Sequence, residues 1–147
     1  MSLYIDHRGH GPVQLVLLHG WAMHGGVLEP LVEALEEQCT MHVVDLPGHG
    51  RSRDCGLPLE PRACAEAIAK LTPPAIWLGW SLGGLIALTA ALELPRQVRG
   101  LAMLCATPKF VRDAGWPHGS DDKLVHQLAS DLETDYHATL ERFLALE

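Results

Sequence analysis

The sequence predicts an α/β fold in which helices cover both faces of a parallel sheet. Three observations carry that prediction: short runs rich in Val, Leu and Ile recur along the chain, helix-prone segments separate them, and each run stops at a loop containing Gly or Pro. Such alternation sets consecutive strands parallel, with right-handed helical crossovers between them. At 147 residues and 48% apolar composition the chain has enough material for a compact domain with a buried core.

Val13-Gln14-Leu15-Val16-Leu17-Leu18, between Gly11-Pro12 and His19-Gly20, reads as a strand buried on both faces. Next comes a helix, in which Leu28, Leu31, Val32 and Leu35 recur at helical spacing opposite Glu33, Glu36 and Glu37, and Pro30 is tolerated in the first turn. Residues 41–45, Met-His-Val-Val-Asp, form a second strand stopped by Leu46-Pro47-Gly48-His49-Gly50. Residues 62–71 are alanine-rich and helix-prone, and Pro73-Pro74 ends them. Ala75-Ile76-Trp77-Leu78 is a third buried strand, followed over residues 83–94 by a helix that is apolar nearly all round and closed by Pro95. Residues 98–106 supply a further strand. Beyond Thr107-Pro108 the texture changes: residues 121–147 are polar and amphipathic, with Leu124, Leu128, Leu132, Leu140, Phe143 and Leu144 as the apolar face, and they read as helices outside the sheet. An α/β core over residues 1–110 and the start of a helical cap over residues 111–147 are the expected division.

A formal net charge of −7 gives no basic footprint for nucleic acid or for an anionic membrane surface, so neither is expected as a partner. No apolar run is long enough to span a bilayer. Cys39, Cys55, Cys64 and Cys105 form no CxxC pair and the N-terminus has no long apolar stretch, which reads as reduced thiols in a cytoplasmic protein. Although there are nine histidines, the pairs His7/His10 and His19/His24 lack a supporting Cys or carboxylate pattern; no metal and no cofactor are expected.

The densest chemical signal is Gly79-Trp80-Ser81-Leu82-Gly83-Gly84, a G-x-S-x-G motif between an expected strand and an expected helix. In that context a sharp turn projects the serine hydroxyl at the C-terminal edge of the sheet, the flanking glycines admit neighbouring backbone, and the helix N-terminus favours the negative charge of attack. Ser81 is therefore the candidate nucleophile. His19-Gly20-Trp21 follows the first strand, where a loop aims a backbone N–H over the serine. The oxyanion hole is assigned to the N–H groups of Trp21 and Leu82, and His19 is given a structural role. Residues 45–52, Asp-Leu-Pro-Gly-His-Gly-Arg-Ser, form a tight loop in which Asp45 and His49 are also read as structural. Neither of the usual nucleotide-binding Gly-rich fingerprints is present.

Together these three motifs resemble the α/β-hydrolase family. Residues 75–85, Ala-Ile-Trp-Leu-Gly-Trp-Ser-Leu-Gly-Gly-Leu, and residues 141–146, Glu-Arg-Phe-Leu-Ala-Leu, narrow the resemblance to the carboxylesterases of biotin synthesis that cleave the methyl ester of a pimeloyl chain on acyl-carrier protein. The resemblance spans essentially the whole chain. It implies an acyl-enzyme on Ser81, Trp21 and Leu82 at the substrate carbonyl, Phe143 lining the pocket, and an acidic carrier protein meeting the basic residues Lys109, Arg112, Lys123 and Arg142. A generic esterase or thioesterase of the same fold, and a non-catalytic binding fragment, are the alternative readings.

In this fold the triad runs Ser, then an acid, then His, the last two after later strands. His118, His126 and His137, like Asp113, Asp121, Asp122, Asp131 and Asp135, fall instead in the loop and helices after residue 107, and none is nominated. Family members of roughly 250 residues put the triad acid and histidine past residue 147. This chain by itself is thus expected to be inactive or weakly active, with Leu146-Glu147 marking the end of a shortened chain. The same resemblance sets strand 98–106 beside a later one. Without that neighbour it is an apolar edge, expected to be covered by a second copy in a homodimer or by the cap helices.

Overall fold

The computed structural model describes residues 2–146; Met1 and Glu147, and with Glu147 the expectation placed on the last dipeptide, lie outside the described residues. They form two compact units, divided between Thr107 and Pro108.

The first unit is a five-stranded sheet in the order β1-β3-β2-β4-β5. Strands β2 (Val13–Leu18), β3 (Cys39–Val44), β4 (Ala75–Trp80) and β5 (Val98–Leu104) run parallel. The remaining strand, β1 (Ile5–Arg8), pairs antiparallel with β3. It is the one strand missing from the sequence reading, and Ile-Asp-His-Arg has no apolar run to betray it. Its place is secured by partners on β3 instead: His7 faces His42 across the pair, their Nδ1 atoms 3.0 Å apart. β5 is the outermost strand on the opposite side, and Leu101 and Leu104 are exposed there.

Helices cover both faces of the sheet. Alternate residues of β2 point to opposite sides: Leu15 and Leu17 join Met41, Val43 and Val32 of α1 (Glu29–Leu35). Val16 and Leu18 join Trp77, Cys64, Ala65 and Ile68 of α2 (Pro61–Leu71), and Ile86, Ala87 and Ala90 of α3 (Leu82–Glu93). The last four residues of β2, sandwiched in this way, have no solvent face, which explains the unbroken apolar run from Leu15 to Leu18. Pro61 opens α2 behind Glu60, whose carboxylate accepts the N–H groups of Arg62 and Ala63 at 3.1 and 2.8 Å; this is a side-chain cap on donors the helix itself leaves unpaired.

From the central β2 the chain passes to β3 on one side and then crosses to β4 on the other. Loops leaving the C-terminal ends of β2 and β4 therefore diverge from adjacent strands, the crevice where open α/β sheets bind ligands.

The second unit holds α4 (Asp122–Thr134) and α5 (Tyr136–Leu144), packed on one another and capped by the Asp121 and Asp135 carboxylates. Of the expected apolar face, Leu128, Leu132, Leu140 and Phe143 are half-buried, whereas Leu124 and Leu144 are exposed. No helix among the described residues is long and apolar enough to cross a membrane.

Candidate active site

Ser81 sits between the last residue of β4 and the first of α3, with φ 53° and ψ −115°. A side chain rarely adopts that backbone region, and holding one there costs roughly 1–3 kcal/mol. Three backbone bonds maintain it. The Ser81 N–H donates to the Leu104 carbonyl at 2.9 Å, and the Ser81 carbonyl accepts from Gly84 at 2.9 Å and Leu85 at 3.3 Å. The turn is so tight that a Cβ on Gly79 would lie 2.1 Å from the Gly83 carbonyl oxygen, and one on Gly83 would lie 2.4 Å from the Leu18 carbonyl oxygen. Both contacts are with backbone, which has nowhere to go, so glycine is a steric requirement at these two positions.

Leu82 is the first residue of α3, so its N–H has no acceptor within the helix and the positive end of the helix dipole lies beside Ser81. The loop leaving β2 closes over the same point: a Cβ built on Gly20 would be 3.4 Å from the Ser81 Cβ. Residues 20–23 form a turn closed by the Met23 N–H on the Gly20 carbonyl at 3.3 Å. Its third residue, Ala22, has φ 65°, at a cost of roughly 1–2 kcal/mol for a residue with a Cβ.

Three side chains bind this loop to the loop after β3. His19, fully buried, donates from Nδ1 to the Gly20 carbonyl at 2.7 Å and accepts the Leu46 N–H at Nε2, 2.9 Å away. Burial pushes its pKa down to about 4, against a partly compensating bond to the Gly20 carbonyl, so the ring stays neutral. His49 repeats the pattern, donating from Nδ1 to the Pro47 carbonyl at 2.8 Å and accepting the Ala22 N–H at Nε2, 3.0 Å away. Asp45, also buried, accepts the Gly25 N–H at 2.6 Å and the Arg51 N–H at 2.9 Å, one on each carboxylate oxygen. N-terminal to these loops, the Tyr4 N–H donates to the Ser52 hydroxyl at 2.8 Å and the Tyr4 carbonyl accepts the Asp45 N–H at 3.1 Å.

In the first unit, the imidazole hydrogen bonds of His7, His19, His24, His42 and His49 all go to groups other than Ser81. In the second, His126 pairs with Asp122 at 3.4 Å, and His118 and His137 lie edge-on against Trp116 and Tyr136. Phe143 and Arg142 lie on α5, where the Arg142 guanidinium donates to the Thr139 hydroxyl at 3.0 Å. Lys109 pairs with Asp113, and Arg112 donates to the Gly119 carbonyl at 3.1 Å. The structure thus brings Ser81, Leu82 and the turn carrying Trp21 together in one unit, while Phe143, Arg142, Lys109, Arg112 and Lys123 belong to the other. A cleft of about 460 Å³ between Tyr4, Arg8, His24, Glu29 and Arg51 does not include Ser81.

Residues 15–146 match the alpha/beta hydrolase family. The chain belongs to that family. Among curated relatives of this hydrolase chain, a pimeloyl-acyl-carrier-protein methyl ester esterase from Xanthomonas oryzae pv. oryzae is 59% identical over 145 residues, covering 99% of this chain and 56% of the relative. One of the same name from Stenotrophomonas maltophilia is 56% identical, covering 99% of this chain and 55% of the relative. The chain thus spans little more than half the length of these relatives. Among solved structures, the esterase EaEST from Exiguobacterium antarcticum superposes with a TM-score of 0.86 at 27% identity, over 96% of this chain and 55% of that one.

Proposed function

We propose that this hydrolase chain carries the nucleophile and oxyanion hole of a serine carboxylesterase, and that its substrate is the methyl ester of a pimeloyl chain on acyl-carrier protein. The observation that carries the reading is Ser81, held at positive φ on the turn into α3, with the loop after β2 packed against it. Ser81 Oγ adds to the ester carbonyl carbon, and the oxyanion so formed accepts the N–H groups of Trp21 and Leu82. Collapse of that intermediate releases methanol, whose oxygen takes up the serine proton through a general base, and leaves the acyl group on Ser81; water then frees the acid by the same route in reverse. The general base and its acid partner are assigned to the portion of the relatives that this chain does not cover, because the imidazoles of His7, His19, His24, His42 and His49 bond to groups other than Ser81.

The name of the Xanthomonas relative supports the acyl-carrier-protein ester as substrate. Phe143 is assigned to the acyl pocket, and Arg142 with Lys109, Arg112 and Lys123 to the carrier. A cytoplasmic setting agrees with four unpaired cysteines. Cover for the apolar β5 edge is assigned to a second copy of the chain.

A fluorophosphonate probe tests the central assignment. Applied to this chain joined in one polypeptide to the uncovered portion of the Xanthomonas relative, it is expected to label Ser81, and Ser81→Ala is expected to abolish labelling. Undiminished labelling of Ser81→Ala refutes the nucleophile. Hydrolysis of p-nitrophenyl esters by the 147-residue chain is expected to be at least about a thousandfold slower than by the joined protein, as when a triad base is absent. Arg142→Glu is expected to slow hydrolysis of the carrier-bound methyl ester without slowing that of a small ester.

A further inference from the structure

We infer that His49 is a positioning residue for the oxyanion loop, acting through the Ala22 amide; this rests on the esterase reading of Ser81. Residues 20–23 close as a turn through Met23 N–H and Gly20 carbonyl, and the positive φ at Ala22, not shared by Trp21, gives it the type II hand. The type I hand needs no positive φ and is open to most residues, so a turn with Trp-Ala at its centre has no local reason to adopt type II. The two hands differ by turning over the peptide between Trp21 and Ala22.

His49 supplies the missing reason. Its Nδ1 is committed as a donor to the Pro47 carbonyl, which leaves Nε2 as a lone-pair acceptor, and the Ala22 N–H lies 3.0 Å from it. With the central peptide turned over, the Trp21 carbonyl oxygen would face that lone pair instead, and two acceptors repel. The His49 ring therefore selects the orientation of the peptide between Trp21 and Ala22; the Trp21 N–H, the assigned oxyanion donor, belongs to the preceding peptide and is positioned through the Trp21 Cα that the two peptides share. No other residue type that size presents a donor and an acceptor on opposite sides of a flat ring. The ring is held in turn by its own loop, whose Asp45 carboxylate binds Gly25 and Arg51.

Two substitutions divide the two bonds. In His49→Gln the side-chain oxygen reaches the place of Nε2 and keeps the acceptor for Ala22; in His49→Asn the shorter amide keeps the donor to Pro47 and loses that acceptor. With p-nitrophenyl butyrate and the joined protein described above, His49→Asn is expected to lose about tenfold or more in kcat with KM changed less than about twofold, the pattern of a misplaced transition-state donor. His49→Gln is expected to stay within about threefold of the unsubstituted enzyme, with thermal midpoints of the two variants alike. Equal kcat in the two variants overturns the inference. Independent of folding of either variant, two-bond nitrogen–proton correlation on the unsubstituted protein is expected to find the His49 proton on Nδ1; a proton on Nε2 also overturns it. If the unsubstituted protein shows no Ser81-dependent turnover, the esterase reading fails by itself. The loop link is then decided by Ala22 amide exchange, expected to be faster in His49→Asn than in His49→Gln and, if equal, refuted.

Discussion

Acidification should weaken this protein through His19 in a way that one substitution can isolate. Burial pushes the His19 pKa from 6.5 to about 4, because a charged ring there has lost its water, and the bond to the Gly20 carbonyl offsets this only in part. The unfolded chain has no such restriction and takes up its proton near 6.5. Between those two values the unfolded state binds more protons than the folded one, so stability rises with pH across the window, is fully present above about 6.5, and is lost as pH falls toward about 4. A depression of that size corresponds to about 3 kcal/mol, a sizeable share of the 5–15 kcal/mol that holds a typical domain together. His19→Gln removes the titration while leaving an oxygen for the Leu46 N–H. At pH 7.5 it should cost about 1–3 kcal/mol, from the lost bond to Gly20 and the altered packing. Urea unfolding of both proteins at pH 7.5, 6, 5 and 4, extrapolated linearly, gives the difference between them at each pH. Carboxylates titrating in both proteins cancel in that difference, which should shrink or reverse by about 3 kcal/mol over the range. A difference independent of pH would refute the reasoning.

Ser81→Gly should raise the unfolding free energy by roughly 1 kcal/mol, since glycine adopts φ 53° without strain; a lower urea midpoint would mean that the turn is unstrained. Gly79→Ala places a Cβ 2.1 Å from the Gly83 carbonyl oxygen and should cost more than about 3 kcal/mol, seen as a loss of near-ultraviolet dichroism and a lowered midpoint. An unchanged midpoint there contradicts the steric requirement. Asp45→Asn turns one acceptor into a donor facing a backbone N–H, at Gly25 or Arg51, and should cost about 1–3 kcal/mol. Exchange of the Gly25 and Arg51 amides, unchanged in the variant, would count against it.

The parallel strands and the helices between them were legible because each obeys a local rule: an apolar run for a strand with two buried faces, helical spacing for an amphipathic helix. β1 obeys neither, as its pairing rests on partners more than thirty residues away, among them His42 opposite His7. Strand β5 was expected to run to residue 106 and ends at Leu104. Cys105 there turns to φ 44°, which breaks the extended run although its neighbours stay apolar. At the candidate site the G-x-S-x-G spacing foretold a turn, yet nothing local to His19, Asp45 or His49 specifies which amide each would bind. Those bonds join segments 20 to 27 residues apart and exist only once β2 and β3 are side by side.

The central place of β2 also shapes how the protein must be made. Translation delivers Val13–Leu18 before Cys39–Val44 and both before Ala75–Trp80, so one flank of β2 finds its partner ahead of the other. The other flank waits for Ala75–Trp80, a delay of several seconds at the usual 5–20 residues per second. During that interval a strand reading Val-Gln-Leu-Val-Leu-Leu shows one open edge to every other nascent chain nearby, with no charge or proline in it to discourage capture. Yield in the cell should therefore respond to the speed at which ribosomes traverse residues 45–74, and to holding chaperones, before it responds to the stability of the finished fold.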